Sequence, residues 1–329
     1  MNEIRRRNAV CGLMSLGDLY SSDGIRFFAT QFPEHLESAL STKTEPISCN
    51  GRVCMFGVGN SAMAGDIMQA YLDENSEYSV PMISDDRIPG WIGENDHAIL
   101  ISYSGESREI LSCYKALKER GCIMHCIVGG GTLRENAVRD GVDIRVLPQG
   151  VPSRAALGYT LGYLADLIQA LGISDIADYL LNHIDYFKEY IANVLGSEKI
   201  EDIAHSMVGK IPAIYTTTDM LPIAKRWRAD LYQNCGMIAF YGEMPEFDHN
   251  EIVGWADPNI HVSELEMFIL RSNDEPEIIK IIVDAMTETL NAFERETHTI
   301  SITPSESIIR NICGCLAGDI LSARLKELV

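Results

Sequence analysis

The sequence is short of positive charge. It contains 27 lysine and arginine residues against 47 aspartate and glutamate residues, a formal net charge of −20 at pH 7. Long-range repulsion therefore opposes binding to nucleic-acid phosphates or to an anionic membrane, and we expect neither as a partner. A small anionic molecule remains compatible with this charge, because a few local donors can outweigh the field of the whole chain.

Long apolar runs are also lacking. No window approaches the roughly 20 consecutive apolar residues that a membrane-spanning helix requires. The opening stretch MNEIRRRNAVCGLM has basic residues but no sustained apolar core followed by small residues, so it does not resemble a signal peptide. We therefore expect a soluble, cytoplasmic protein.

The nine cysteines lack the regular spacing of a disulfide framework. The nearest pairs, Cys122 with Cys126 and Cys313 with Cys315, have neither a second matching pair nor histidines at the spacing of a zinc site. We expect most of the cysteines to be buried, reduced thiols, and we expect no metal.

What the first half of the chain does contain is an alternation of short apolar runs with helical patterns, after a helical opening at 22–40. Short runs rich in Val and Ile, separated by helices, predict an α/β domain with a doubly wound parallel sheet. The predicted strands lie at 52–58, 79–84, 98–102, 122–128 and 143–147.

A second alternation follows a stretch of continuous helical pattern at 155–195, with predicted strands at 212–217, 237–241, 267–272 and 299–303. A chain of 329 residues is long enough for two domains, each with its own core. We predict an N-terminal helical segment over 1–47, a first domain with its helical connector over 48–195, and a second domain over 196–329.

One corner between a predicted strand and helix has the sequence GVGNSAMAGD at 57–66. Its glycines permit a tight turn, and Asn60 and Ser61 stand at the start of the helix, where they can cap it or hold an anion. The third glycine of a dinucleotide fingerprint is missing, since position 62 is Ala, so a dinucleotide site is disfavoured and no cofactor is expected.

The next corner, SYSGES at 102–107, carries three hydroxyls and a glycine. Ser102, Ser104 and Ser107 can turn toward the N-terminus of a helix predicted over 106–120, which together with the helix dipole makes a phosphate site. The alternative is that Ser104 caps the helix and the other hydroxyls satisfy local backbone groups. Two such corners in adjacent crossovers favour the phosphate, because ligands of parallel sheets bind beyond the carboxyl ends of the strands.

SYSGES resembles the phosphate loop of the sugar isomerase (SIS) domain, and GVGNSAMAGD resembles a glycine-rich turn of the same family. More narrowly, the chain is similar to the bifunctional phosphoglucose/phosphomannose isomerases. Further matches are PQGVPSRAALGY at 148–159 and two segments within 225–255, KRWRADLYQN and MPEFDHNEIVGW. They keep the order of the family from about residue 18 to the last helix.

The resemblance implies two SIS domains, each a five-stranded parallel sheet between helices in the flavodoxin-like order. It implies interconversion of glucose 6-phosphate or mannose 6-phosphate with fructose 6-phosphate, in a homodimer whose active site takes one residue from the partner chain. Arg154 would neutralise charge that develops on the substrate. The residues implied around the sugar phosphate are Asn60, Ser61, Ser102, Ser104 and Ser107.

His249 matches the histidine that opens the sugar ring in this family and that is contributed across the dimer interface. Its acidic neighbours would favour the protonated imidazole if any of them pointed toward it. We place the dimer axis near residues 245–255, because Phe247 and Trp255 would otherwise lie exposed beside the loop that presents His249.

The chain departs from the family at Gln233, which stands where the family has the glutamate that moves the carbon-bound proton. A neutral amide cannot accept that proton. The family also continues to a segment that carries a lysine, and Lys326 lies too early in the pattern to take that role.

Three functions remain open. The first is an isomerase, with another carboxylate such as Glu243 or Glu246 as the base. The second is a protein that binds sugar phosphates with little or no turnover. The third is a different SIS-type reaction on an amino sugar or on an altered phosphosugar.

Overall fold

The computed structural model describes residues 16–257 and 264–329. The described chain divides into two compact units. The first comprises residues 27–189 with the short helix α1 (Leu16–Leu19), and the second comprises 20–26 and 190–329. Residues 27–47, predicted as a separate helical segment, cluster with the first unit. The domain boundaries drawn from the sequence stay a prediction.

The first unit contains a five-stranded parallel sheet with the strand order β2-β1-β3-β4-β5. This is the flavodoxin-like order, and the predicted doubly wound sheet is confirmed. The strands are β1 (Val53–Phe56), β2 (Met82–Ile83), β3 (His97–Ser102), β4 (Ile123–Val128) and β5 (Asp143–Val146).

The helices of this part of the chain precede, separate and follow the strands. The helical opening forms α2 (Ser22–Thr30) and α3 (Phe32–Leu40). The crossovers contain α4 (Met63–Asn75), α5 (Arg108–Glu119) and α6 (Gly131–Asp140). The stretch predicted as one continuous helix is three helices, α7 (Leu157–Ala170), α8 (Ile176–Leu181) and α9 (Ile184–Val194).

The apolar sequence of β3 suits its position as the central strand of this sheet. All six of its residues are buried, in the sequence HAILIS, which is what a strand covered by helices on both faces requires. It pairs with β1 on one side and β4 on the other, with His97 opposite Ile123 and Ser102 opposite Val128. The carboxyl end of β3 therefore lies between two further strand ends.

The second unit contains a parallel sheet with the order β7-β6-β8-β9. The resemblance implied five strands here, but the described residues form four, because the chain after β9 enters a long helix. The strands are β6 (Ile211–Thr217), β7 (Phe240–Met244), β8 (Leu265–Ser272) and β9 (Thr297–Ile302). The helices are α10 (Glu198–Met207), α11 (Leu221–Asp230), α12 (Glu246–Asn250), α13 (Ile252–Trp255), α14 (Glu277–Ala292) and α15 (Ser307–Leu328).

Eight of the nine cysteines lie in the described residues, and all eight are free thiols. Six of them are buried, as predicted. Burial raises the pKa of Cys54 and of Cys126 to about 12, so both thiols are unreactive near neutral pH. Within 16–257 and 264–329, no helix has the length and apolar content needed to cross a membrane.

Candidate active site

The corner between β3 and α5 is built from the hydroxyls that the sequence singled out. Ser102 Oγ accepts the N–H of Gly105 at 3.1 Å and lies 3.3 Å from Ser107 Oγ. Ser104 Oγ accepts the N–H of Glu106 at 3.1 Å. A hydroxyl that accepts a backbone N–H keeps its own proton for donation, so Ser104 remains a donor, whereas one of Ser102 and Ser107 donates to the other.

The helix begins at Arg108, two residues later than predicted, with Ser107 at the N-cap position. The Ser107 side chain makes no capping hydrogen bond to the helix. Neither Ser104 nor Ser107 therefore caps α5, which contradicts the capping alternative, although Ser102 and Ser104 do satisfy local N–H groups. The first-turn amides of α5 keep the positive end of the helix dipole directed at this corner.

The three hydroxyls differ in exposure. Ser104 is exposed, Ser107 is half-buried, and Ser102 is 1% exposed. Ser102 thus holds the loop in shape, whereas Ser104 and Ser107 face solvent. Direct contact of Ser102 with a phosphate stays a prediction.

Gly105 is required by the geometry of this loop. Its φ is +71°, and a Cβ atom at this position would lie 1.8 Å from the carbonyl oxygen of Gly130. That carbonyl belongs to the turn that follows β4. The tight approach joins the corner after β3 to the corner after β4, and no other residue fits it.

Glu106 would place a negative charge beside a phosphate, but its carboxylate is turned away. It accepts the N–H of Thr132 at 2.7 Å and the Thr132 hydroxyl at 3.0 Å. Thr132 lies in the first turn of α6, where a carboxylate is favoured by the helix dipole. The acid of SYSGES therefore caps the neighbouring helix and does not direct its charge at the start of α5.

Tyr103 ties the other corners to this one, a role that the sequence analysis missed. Its N–H donates to Ser61 Oγ at 3.2 Å, and its carbonyl accepts the N–H of Gly129 at 3.2 Å. Its hydroxyl donates to the carbonyl of Pro148 at 3.0 Å and accepts the N–H of Val151 at 3.2 Å. One residue thus holds the turns after β1, β4 and β5 beside SYSGES. We call this arrangement the phosphate corner.

Asn60 and Arg154 lie at the margin of the phosphate corner. Asn60 follows β1 in a 3₁₀ turn, and its side-chain amide is 3.5 Å from Ser153 Oγ. Arg154 lies in the next 3₁₀ turn, Ser153–Ala156, and is half-buried. All six residues predicted to form the site in the first unit therefore lie at the carboxyl edge of its sheet or in the turns beyond it.

His35 supports the turn that carries Arg154, and sequence reasoning missed it as well. Its ring stacks on Tyr159 with centroids 4.3 Å apart and hydrogen-bonds the backbone of Ala155. Burial lowers the pKa of His35 to about 4, although the bond to Ala155 opposes this shift. The imidazole is neutral near neutral pH, and it fixes α3 against the residue that follows Arg154.

In the second unit, Gln233 is exposed in a π-helical turn, Leu231–Cys235, that continues α11. The sequence predicted an ordinary helix here. Single π turns inside or at the end of helices are rare and often mark functional sites. The turn ends at Gly236, which has a φ of +66°.

The end of α15 fixes this π turn. Lys326 Nζ donates to the carbonyl of Asn234 at 2.7 Å, and the Asn234 side chain donates to Ser322 Oγ at 2.8 Å. Lys326 was set aside in the sequence as lying too early for the family's lysine. That interpretation stays a prediction, and the structure adds that the Lys326 ammonium contacts the residue next to Gln233.

His249 is exposed and lies on the short helix α12, not on a loop as expected. Two of its acidic neighbours are turned elsewhere: Glu246 accepts from Asn250, and Glu251 accepts from the hydroxyl of Tyr215. Asp248 interacts electrostatically with His249, and burial raises the pKa of Asp248. Of the two alternative bases, Glu243 lies at the end of β7 and accepts from Thr218, whereas Glu246 bonds within its own helix.

The stated reason for a dimer axis near 245–255 is wrong. Phe247 is fully buried, and it packs with Tyr215 and Trp255 in an aromatic cluster of the second unit's own core. The ring centroids of Phe247 and Tyr215 are 4.8 Å apart, and those of Tyr215 and Trp255 are 6.1 Å apart. Phe247 and Tyr215 need no partner chain to cover them, whereas Trp255 is half-buried.

Sequence models of two related domains match most of the chain. One is described as the bacterial phospho-glucose isomerase C-terminal SIS domain and matches residues 197–328. The other is the SIS domain and matches residues 46–139. The chain belongs to the SIS-domain family. The resemblance drawn from SYSGES and its companion motifs is therefore confirmed.

Relatives of this SIS-domain protein include a bifunctional phosphoglucose/phosphomannose isomerase of Caldicellulosiruptor bescii, 26% identical over 90% of this chain and 91% of the relative. A D-glucosamine-6-phosphate 4-epimerase of Sulfolobus acidocaldarius is 28% identical over 68% of this chain and 70% of the relative. Tagatose-6-phosphate ketose/aldose isomerase from Escherichia coli is similar in structure, with a TM-score of 0.64 at 14% identity, covering 95% of this chain and 89% of that one. The structural likeness shows the SIS fold.

Proposed function

We propose that this protein is an aldose–ketose isomerase that interconverts glucose 6-phosphate or mannose 6-phosphate with fructose 6-phosphate. The phosphate corner is the observation that carries the proposal. It combines two accessible hydroxyls, a helix N-terminus and a glycine turn, and the only acid in SYSGES is engaged by another helix. The relatives named above are enzymes of sugar phosphates, which favours catalysis over binding alone.

The reaction sets three requirements beyond binding. The sugar ring must open, which needs an acid and base at the ring oxygen. A proton must then leave one of C1 and C2 and return to the other through an enediolate, and a cation must stabilise the developing oxyanion. We assign the first task to His249 and the last to Arg154.

The proton transfer is the slow step in this proposal. Gln233 supplies an amide where the family supplies a carboxylate, so it can orient a hydroxyl but cannot take the carbon-bound proton. Lys326 holds the backbone next to Gln233 and contributes positive charge to the same turn. We expect turnover to be measurable but low.

We further propose a homodimer, as the family resemblance implies. Exposed apolar side chains of the second unit support it: Ile238, two residues before β7, and Phe240, the first residue of β7, are each 54% exposed, and Val253 is 74% exposed on α13. β7 is an edge strand of its sheet, with one side unpaired within that sheet. Light scattering at micromolar concentration is expected to give the mass of two chains, and a monomer would contradict the proposal.

A thermal-shift screen of phosphosugars, coupled to an isomerase assay, tests the function. Glucose 6-phosphate, mannose 6-phosphate and fructose 6-phosphate are expected to raise the melting temperature, and at least one is expected to be converted. Glucosamine 6-phosphate is included because of the epimerase relative. Stabilisation by glucosamine 6-phosphate alone, or binding without conversion, would contradict the isomerase.

A further inference from the structure

We propose that the first unit has a second binding site, for an organic cation, at the amino ends of its strands. A cavity of about 890 Å³ lies there, within the range of roughly 300–1,000 Å³ typical of small-molecule sites. It is lined by the residues from which β1, β2 and β3 start, among them Val53, Pro81 and Asp96. The phosphate corner lies at the carboxyl ends of the same strands, so the two sites occupy opposite edges of one sheet.

The cavity contains one basic side chain, Arg52, and it is already neutralised. Its Nη2 lies 2.9 Å from Asp96 Oδ2, its Nε lies 3.2 Å from Asp96 Oδ1, and Nη2 also donates to the carbonyl of Trp91. The Asp96 side chain is 7% exposed and accepts two backbone N–H groups, from Arg52 and Gly93. An anion would have to displace this buried carboxylate, which disfavours phosphates and carboxylates as ligands.

The charges that remain in the cavity are negative. Glu77 and Glu94 line it and are both exposed. Two helices also end beside it: α4 ends at Asn75, two residues before Glu77, and α7 ends at Ala170, next to the lining residue Leu171. Helix C-termini carry partial negative charge, so the backbone and the carboxylates attract the same kind of ligand, a cation.

The rest of the lining suits an aromatic or aliphatic body. Val80 and Leu171 are buried in the wall, whereas Trp91 is 38% exposed and Tyr78 is 60% exposed. The Arg52 guanidinium stacks over Trp91 at 4.6 Å from the ring centroid, which orients the indole. Because Arg52 already covers one face of Trp91, the exposed ring of Tyr78 beside Glu77 is the aromatic surface that can bind an ammonium group through cation–π attraction. The ligand class is therefore an amine attached to an apolar body.

Calorimetric titration with tryptamine tests this site. Tryptophol is the matched control ligand, since it has the same indole and side chain but a neutral hydroxyl in place of the ammonium. We expect tryptamine to bind one site per chain, at least tenfold more tightly than tryptophol. Inorganic phosphate at millimolar concentration, bound at the phosphate corner, should leave the tryptamine affinity unchanged. Absence of tryptamine binding, or equal affinities for the two probes, would overturn the proposal.

A matched pair of variants separates this cavity from the general negative charge of the chain. Glu77→Gln with Glu94→Gln is expected to weaken tryptamine binding at least tenfold. Glu277→Gln with Glu288→Gln changes the net charge equally, at exposed positions of α14, and should leave the affinity unchanged. Equal weakening by both pairs would show adsorption to a negative surface and would overturn the site.

Discussion

The carboxyl edges of the two sheets have the same strand order but different side chains. In the first unit, β1 and β4 are followed by glycine turns and β3 by the hydroxyls of SYSGES, whereas in the second the strands that correspond to β1 and β2, β6 and β7, have charged residues at or after their ends. There Asp219, after β6, is paired with the buried Arg310 at 2.6 Å, and Glu243, at the end of β7, accepts from Thr218. These charged residues at the carboxyl edge of the second sheet are paired with one another or with nearby hydroxyls. Hydroxyls at the carboxyl edge of the first sheet remain able to donate to a bound anion.

The difference shows that the topology alone does not create a phosphate site. Both sheets place helix N-termini beyond their strands. Only at the corner after β3 do a positive-φ glycine, solvent-facing hydroxyls and an acid turned to another helix occur together among the described residues. We therefore propose that the first unit binds the phosphate and that the second contributes the residues of proton transfer.

Removing the hydroxyls of the first edge should have the largest effect. In Ser104→Ala with Ser107→Ala, the stabilisation by glucose 6-phosphate should be lost, because both accessible donors are gone. The melting temperature without ligand should stay the same, since neither side chain is buried. Thermal shift measures both. Ser112→Ala, exposed on α5, is the control and should keep the ligand response; an unchanged response in the double variant would refute the assignment.

Restoring a carboxylate at the second unit's π turn should have the next largest effect. Gln233→Glu is expected to raise the rate of isomerisation on the order of 100-fold or more, the scale of a positioned general base. Steady-state formation of fructose 6-phosphate measures it. Glu243→Gln serves as the comparison and should leave wild-type turnover nearly unchanged. A wild type that is already fast and is inactivated by Glu243→Gln would assign the base to Glu243 instead.

His35 should make the first unit sensitive to acid. Its pKa is about 4 in the folded protein and roughly 6.5 in the unfolded chain. The neutral imidazole therefore contributes fully to stability at a pH above the pKa of the unfolded chain. This contribution is lost as the pH falls toward the pKa of the folded protein, and the free energy of unfolding should decrease by about 2 kcal/mol between about pH 7 and about pH 5. Urea unfolding should show a smaller loss in His35→Gln. His205→Gln, at an exposed ion pair, should not reduce the loss, and parallel curves for His35→Gln and wild type would contradict the account.

Removing one hydroxyl behind the phosphate corner should have the smallest effect. Tyr103→Phe loses the bonds to Pro148 and Val151 but keeps the backbone bonds to Ser61 and Gly129. We expect the affinity for phosphosugars to fall by about fivefold, the equivalent of a hydrogen bond worth about 1 kcal/mol. Isothermal titration measures it. A complete loss of binding would mean that the turn after β5 is itself part of the phosphate site.

The parallel sheets and the turn at SYSGES could be predicted from the sequence, because both depend on local patterns of residues. The strands were visible as short apolar runs, and Gly105 with its serines as a corner. The roles of Tyr103, His35 and Lys326 depend on contacts between residues 26 to 124 positions apart, such as Tyr103 with Gly129 and His35 with Tyr159. No local pattern signals such contacts. The burial of Phe247 was missed for the same reason, since its partner Tyr215 lies on another element.

The central claim is that the protein forms an enediolate from a sugar phosphate held at the phosphate corner. The most direct test is to incubate fructose 6-phosphate with the protein in D₂O and to monitor by NMR spectroscopy the exchange of its carbon-bound protons for deuterium. An enediolate intermediate exchanges the transferred proton with solvent even when net conversion is slow. We predict deuterium at C1 of recovered fructose 6-phosphate and at C2 of the glucose 6-phosphate or mannose 6-phosphate formed. Neither position should incorporate deuterium when the double variant Ser104→Ala, Ser107→Ala replaces the wild type. Binding of fructose 6-phosphate without exchange or conversion, or exchange that persists in the double variant, would contradict the account.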